Sequence, residues 1–164
     1  MLDQIMDLVK QHAGDAIINN QAIPNQHNDA AIADVSNQIF SGLQNHISQG
    51  NFQQVASLFQ GGSIANNPMV TQIISSAAGS LASKFGVSQQ SAQSIVSNLI
   101  PAVMNKFISK TNDPTDSSFN LQDVMSGLGG SNFDIGGMLG QLGGNSKQDS
   151  GLGDIGGMLG GLFK

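Results

Sequence analysis

The sequence contains no cysteine, arginine, glutamate, tyrosine or tryptophan. Without cysteine there is no disulfide, no thiolate nucleophile and no sulfur-ligated zinc. Without arginine there is no planar, bidentate clamp for phosphate or carboxylate. All acids are therefore the 11 aspartates and all bases the 6 lysines, and only 10% of the 164 residues are charged, against about 25% in ordinary soluble domains. Long apolar runs are missing as well. The longest strongly apolar stretch is Leu99 to Met104, far short of the roughly 20 residues a membrane-spanning helix needs. A secretory leader requires a basic start and an uninterrupted apolar run, and Asp3 and Asp7 break any such run at the N-terminus. The expectation is a soluble, cytoplasmic protein.

What the chain has in abundance is amides, hydroxyls and glycine: 17 Gln, 15 Asn, 20 Ser and 21 Gly. Glycine divides it in two, because 14 of the 21 fall in residues 127–164. The stretch Lys110-Thr111-Asn112-Asp113-Pro114-Thr115-Asp116-Ser117-Ser118 is rich in turn formers and lacks apolar residues, which marks a linker. This gives a helical body at 1–110, a linker at 111–118 and a glycine/leucine-rich repeat tail at 119–164.

The body has helical periodicity throughout. Val70, Ile73, Ile74, Ala77, Ala78, Leu81, Ala82 and Phe85 line one helix face. Asn67 before Pro68 is a start signal, since an amide can cap and proline at the first position loses no needed N–H. Gly86 ends that helix by accepting the left-handed conformation, and Ser88 caps the next. The face of that second helix is Ala92, Ile95, Val96, Leu99, Ile100, Val103, Met104, Phe107 and Ile108. So short a connection predicts an antiparallel αα-hairpin. Pro101 inside the second helix predicts a kink or break near Asn98. Upstream, Ile32, Val35, Ile39, Phe40, Leu43 and Ile47 mark a helix from Asn28 or Asp29 to Gly50. Phe52, Val55, Leu58 and Phe59 mark a short one before Gly61-Gly62, and Leu2, Ile5, Met6, Leu8 and Val9 another. The fold class is all-α: a compact multi-helix bundle with an αα-hairpin at its centre and a glycine-rich tail of short helices.

The tail contains a repeat. Asp134-Ile135-Gly136-Gly137-Met138-Leu139-Gly140 recurs unchanged as Asp154 to Gly160, and a weaker copy is Asp123-Val124-Met125-Ser126-Gly127-Leu128-Gly129. Each glycine costs a helix about 1 kcal/mol relative to alanine, so these segments need a surface to pack on. The candidate interaction residues are Ile135, Met138, Leu139 and Leu142 in one segment. In the other they are Leu152, Ile155, Met158, Leu159, Leu162 and Phe163.

The stretch Phe85-Gly86-Val87-Ser88-Gln89-Gln90-Ser91-Ala92, running on to Leu99-Ile100-Pro101, resembles the signature of the YidB-like family, a bacterial domain of unknown function. The likeness lies in a glycine–hydrophobic–serine turn, a helix reaching Leu-Ile-Pro, and a glycine/leucine-rich segment, and it spans about residues 28–110 of the body. Met1 to Asn20 and Asn112-Asp113-Pro114 are similar to its Bacteroidota-type branch. The resemblance implies an all-helical fold and supplies no catalytic residues.

No constellation for chemistry stands out. His12 and His46 lie on helix faces, and His27 lies in the loop Pro24-Asn25-Gln26-His27-Asn28, where solvation is expected. No two histidines have the i,i+4 spacing of helical metal ligands. Asp3 and Asp7, one turn apart, suit a helix N-terminus better than acid–base work. A calcium loop counted from Asp113 would need glycine and glutamate where Ser118 and Val124 stand. No serine sits in a Gly-x-Ser-x-Gly elbow, and no Walker lysine follows the glycines. The expectation is not an enzyme, with no metal or other cofactor and no small-molecule substrate identified.

Charge is uneven. Residues 1–66 carry Lys10 against five aspartates, 67–111 carry only Lys84, Lys106 and Lys110, and 112–164 carry two lysines against six aspartates. Three lysines make a poor footprint for nucleic acid, so no nucleic-acid partner is expected. The basic middle is instead expected to face the acidic tail. The leading functional expectation is a non-enzymatic structural or interaction protein, a homo-oligomer self-associating through its tail. The alternative is peripheral attachment to a membrane surface by the tail as an amphipathic anchor, although its polar face is glycine and aspartate rather than lysine. The competing expectation is that the tail simply folds back and completes the core.

Overall fold

The structure is a computed structural model that describes residues 1–113, 115 and 121–129. Among these it is all-α. Six helices follow in chain order: α1 Leu2–Ala13, α2 Asn28–Ser48, α3 Phe52–Phe59, α4 Pro68–Phe85, α5 Gln89–Thr111 and α6 Leu121–Gly129. They fall within one packed unit, Met1–Phe133, and the second unit, Asp134–Lys164, lies outside the described residues.

The hairpin of α4 and α5 forms as its sequence signals direct. Asn67 Oδ1 accepts the Met69 N–H at 2.9 Å, with Pro68 in the first turn. Gly86 adopts φ +69°, the left-handed conformation that spares it the Cβ penalty of other residues. Ser88 Oγ accepts the Ser91 N–H at 3.1 Å and opens α5. Val87 between them is buried, so the turn itself is anchored in the core. The faces that meet include Val70, Ile73, Ala77, Ala78 and Leu81 from α4 and Ile95, Val96, Leu99, Ile100 and Val103 from α5.

Proline at 101 does not break α5, which continues from Gln89 to Thr111. This corrects the expected break near Asn98. The hydrogen bond that Pro101 cannot make belongs to the carbonyl of Ser97, and Ser97 is on the exposed side of the helix, where water can serve it. Buried side chains flank the proline on both sides, at Leu99, Ile100, Val103 and Met104.

α2 crosses the hairpin, burying Ala31, Ile32, Val35, Ile39, Leu43 and Ile47. A Cβ added at Gly42 would fall on Cγ1 and Cδ1 of Ile73, so glycine at this point is what lets α2 and α4 approach so closely. α3 joins the far end of α5. Phe59 meets Phe107 edge-on with ring centroids 5.8 Å apart, and Asn112 Nδ2 donates to the Phe59 carbonyl at 2.7 Å.

The first helix runs further than its clearest apolar stripe. Beyond Ala13 the chain makes one π-helical turn, Gly14–Ile18, closed by the Asn19 N–H on the Gly14 carbonyl at 2.8 Å. Ile17 is buried by it. A π-turn inserts one extra residue and shifts the 3.6 phase, which hides this extension from a search for regular spacing.

Candidate functional site

Of the three copies of the tail motif, the described one is Asp123–Gly129, and it lies in α6. This helix packs against α2. Val124 and Leu128, one helical turn apart, are each 1% exposed, while Asp123 and Ser126 face outward. Gly127 lies beside the N-terminal residue: a Cβ there would meet Met1 Cγ at 3.4 Å and Cβ at 3.5 Å, ordinary contact distances that leave little room for anything longer. The second and sixth positions of the motif are thus its buried pair. In the two identical copies those positions are Ile135 with Leu139 and Ile155 with Leu159.

All ten candidate interaction residues (Ile135, Met138, Leu139, Leu142, Leu152, Ile155, Met158, Leu159, Leu162 and Phe163) lie outside the described residues, as do linker positions 114 and 116–118. Around α6, the body offers little apolar surface of its own. Among the described residues Ile18, at 45%, is the exposed large hydrophobic side chain.

The charged and polar groups sit as follows. Asp34 on α2 is 6% exposed and pairs through Oδ1 with Nζ of Lys84 on α4, which is 59% exposed. Lys84 of the basic middle finds its acid on α2. Its partial exposure lets the ammonium stay hydrated while it neutralises a carboxylate that would be costly to bury alone. Asp3 and Asp7 are exposed on α1, with Asp3 in the first turn, where the helix dipole favours it.

The histidines are separate in role. His12 Nδ1 bonds the Leu8 carbonyl at 3.0 Å. His46, half-buried on α2, has its Nδ1 covered and without a hydrogen-bond partner. His27 is not fully solvated as expected: it closes a short 3₁₀ turn, Asn25–His27, and rests against the Phe85 ring at 5.9 Å. Among the described residues no three histidines or aspartates come together as a metal-binding group. No described helix is long and apolar enough to cross a membrane.

Two of these features were within reach of the sequence. The i,i+4 pair Val124 and Leu128 is visible in the weak motif copy, and Asp34 stands between Ile32 and Val35 on the buried stripe of α2, where an acid needs a partner. That the partner is Lys84 depends on how α2 crosses α4, which no local pattern encodes.

Comparison with known proteins places the hairpin and the tail together. No curated protein and no solved structure matches the chain. Residues 67–163 match the family described as a bacterial protein of unknown function (DUF937). The match starts at the cap of α4 and takes in α5, α6 and the glycine-rich segment, whereas the resemblance read from the sequence was laid over residues 28–110. The region in common is residues 67–110, which holds α4, the turn at Gly86 and α5 through Pro101. With more than half its length inside that match, the chain belongs to this bacterial family of unknown function, the YidB-like proteins.

Proposed function

We propose that the chain is a non-enzymatic structural or interaction protein that self-associates through its glycine-rich apolar tail. The observation that carries this reading is the burial of Val124 and Leu128 in α6. It makes the repeated motif a packing element, and the identical copies put a larger isoleucine at the first position of the same pair. An isoleucine packed as Val124 is would add about 0.8 kcal/mol for its extra methylene over valine. The glycines around these isoleucines would keep such a helix slim enough for close approach. Among the residues whose burial is described, Ile18 is the exposed large hydrophobic side chain, which favours the tail over the helical bundle as the source of apolar association.

The test is light scattering on the full chain and on two truncations, one ending at residue 130 and one at residue 118. The full chain is expected to gain mass across micromolar concentrations, and the chain ending at residue 130, which keeps α6, to remain single. Equal masses for the full chain and that truncation at every concentration would refute self-association by the tail. Flotation of a single-mass full chain with neutral or anionic vesicles would move the role to membrane anchoring.

A further inference from the structure

The face of α2 under α6 is a seat for a copy of the repeated motif. α6 packs on it, and Val124 and Leu128, the second and sixth residues of that copy, are each 1% exposed. The occupant is held lightly. α6 has 9 residues, too few for a helix that stands alone in water. Gly127 lowers its helix propensity further, and Asp123, Ser126 and Gly127 are exposed, so they add no burial.

The chain carries three copies of the motif and, among the described residues, one seat for them. Residues 134–140 and 154–160 have isoleucine and leucine at the second and sixth positions, spaced as Val124 and Leu128 are. At the fifth position they have Met138 and Met158 where α6 has Gly127. A Cβ at Gly127 would lie 3.4 Å from Met1 Cγ, so a methionine there needs Met1 to turn aside. Met1 is unbranched and half-buried and Gly127 is exposed, which gives both side chains a way out to solvent. Within one chain α6 has the shortest tether to α5 of the three copies, and so the highest local concentration at its own seat. The two surplus copies are left for other chains, whose α6 is held as lightly, and two copies on one tail reinforce each other there.

We infer that the α6 seat on α2 is the docking face for the repeat, residues 134–140 or 154–160, of a second copy of this chain, with α6 as the resident competitor that must leave first. The inference rests on self-association by the tail and names the surface that receives it.

The experiment mixes two full chains across the concentrations at which light scattering follows the mass. One is labelled with heavy nitrogen for amide NMR. The other carries a nitroxide on Ser146→Cys, between the identical copies, and the absence of native cysteine makes that label unique. The nitroxide is expected to broaden amides of α2 and of residues 2–5 in the isotope-labelled chain. The broadening should grow severalfold when the isotope-labelled chain carries Leu128→Ala, which weakens the competitor. Gly127→Met gives α6 the fifth residue of the identical copies, and it should leave α6 protected from hydrogen exchange to within a few-fold of the parent. Growing mass with broadening away from α2, or with broadening that Leu128→Ala leaves unchanged, would overturn the docking face while self-association stands. Loss of α6 protection in Gly127→Met would overturn it as well, because the seat would then reject the fifth residue of both copies. Broadening of α2 only when isotope and nitroxide share one chain would give the face to the chain's own tail and overturn the second copy as occupant. A mass that stays single at every concentration would refute self-association and the docking with it.

Discussion

The hairpin of α4 and α5 and the single helix α6 are two ways of docking a helix in the same molecule. The hairpin is fixed by its own ends as well as by its faces: Asn67 caps α4, Gly86 turns the chain, Ser88 caps α5, and both helices bury an apolar side chain at nearly every inward position. α6 reaches α2 with two buried side chains described, Val124 and Leu128, and glycine within its helix lowers its own propensity. Local stability follows the number and quality of such contacts. The hairpin should therefore open only when the whole unit unfolds, whereas α6 should leave its seat at far lower cost. A motif held so lightly is suited to exchange between surfaces, and a motif held as the hairpin is would not be.

Three variants break or sharpen this contrast. The largest effect is expected from Leu81→Ala on α4, which removes a fully buried side chain from the hairpin. It should cost about 2–5 kcal/mol and lower the urea midpoint for α1 to α5 together, seen as one transition by far-UV circular dichroism. A transition that splits would show the hairpin to be a separate folding unit. Ser88→Ala comes next, since it deletes the hydroxyl that caps α5. A loss of about 1 kcal/mol is expected from the same urea titration, and no loss would mean that the turn is held by Gly86 and the burial of Val87 alone. The smallest effect on global stability is expected from Leu128→Ala. Its cost should surface as faster hydrogen exchange confined to α6, with the urea midpoint nearly that of the parent. A drop as large as that of Leu81→Ala would make α6 part of the cooperative core and erase the contrast.

Sequence patterns exposed the hairpin because each of its signals is local: a capping side chain two or three residues from the N–H it receives, a glycine at the turn, an apolar stripe of constant period. The same holds for α2 and α3, whose ends fall within two residues of the glycines that close them. The extension of α1 was hidden because the π-turn breaks the period that such reading depends on. The break that Pro101 allowed, as the alternative to a kink, does not occur. Proline's local penalty is real, but its orphaned carbonyl faces water and the packing on both sides outweighs the fault.

The candidate sites were less legible still. The ion pair of Asp34 with Lys84 joins residues on two helices that are far apart in the chain, and a cleft beside His12 is made by α5 and the turn after α1. The repeat, by contrast, was plain in the sequence, and the seat of α6 identifies which two of its positions pack.

The measurement that bears most directly on the tail's role is light-scattering mass as a function of concentration for the full chain carrying Ile135→Asp and Ile155→Asp together. Both changes strike the position that Val124 occupies in α6 and leave α6 itself untouched. The account predicts that the parent chain gains mass with concentration and that the double variant keeps the mass of one chain, with unchanged circular dichroism. A double variant that assembles as the parent does would contradict it.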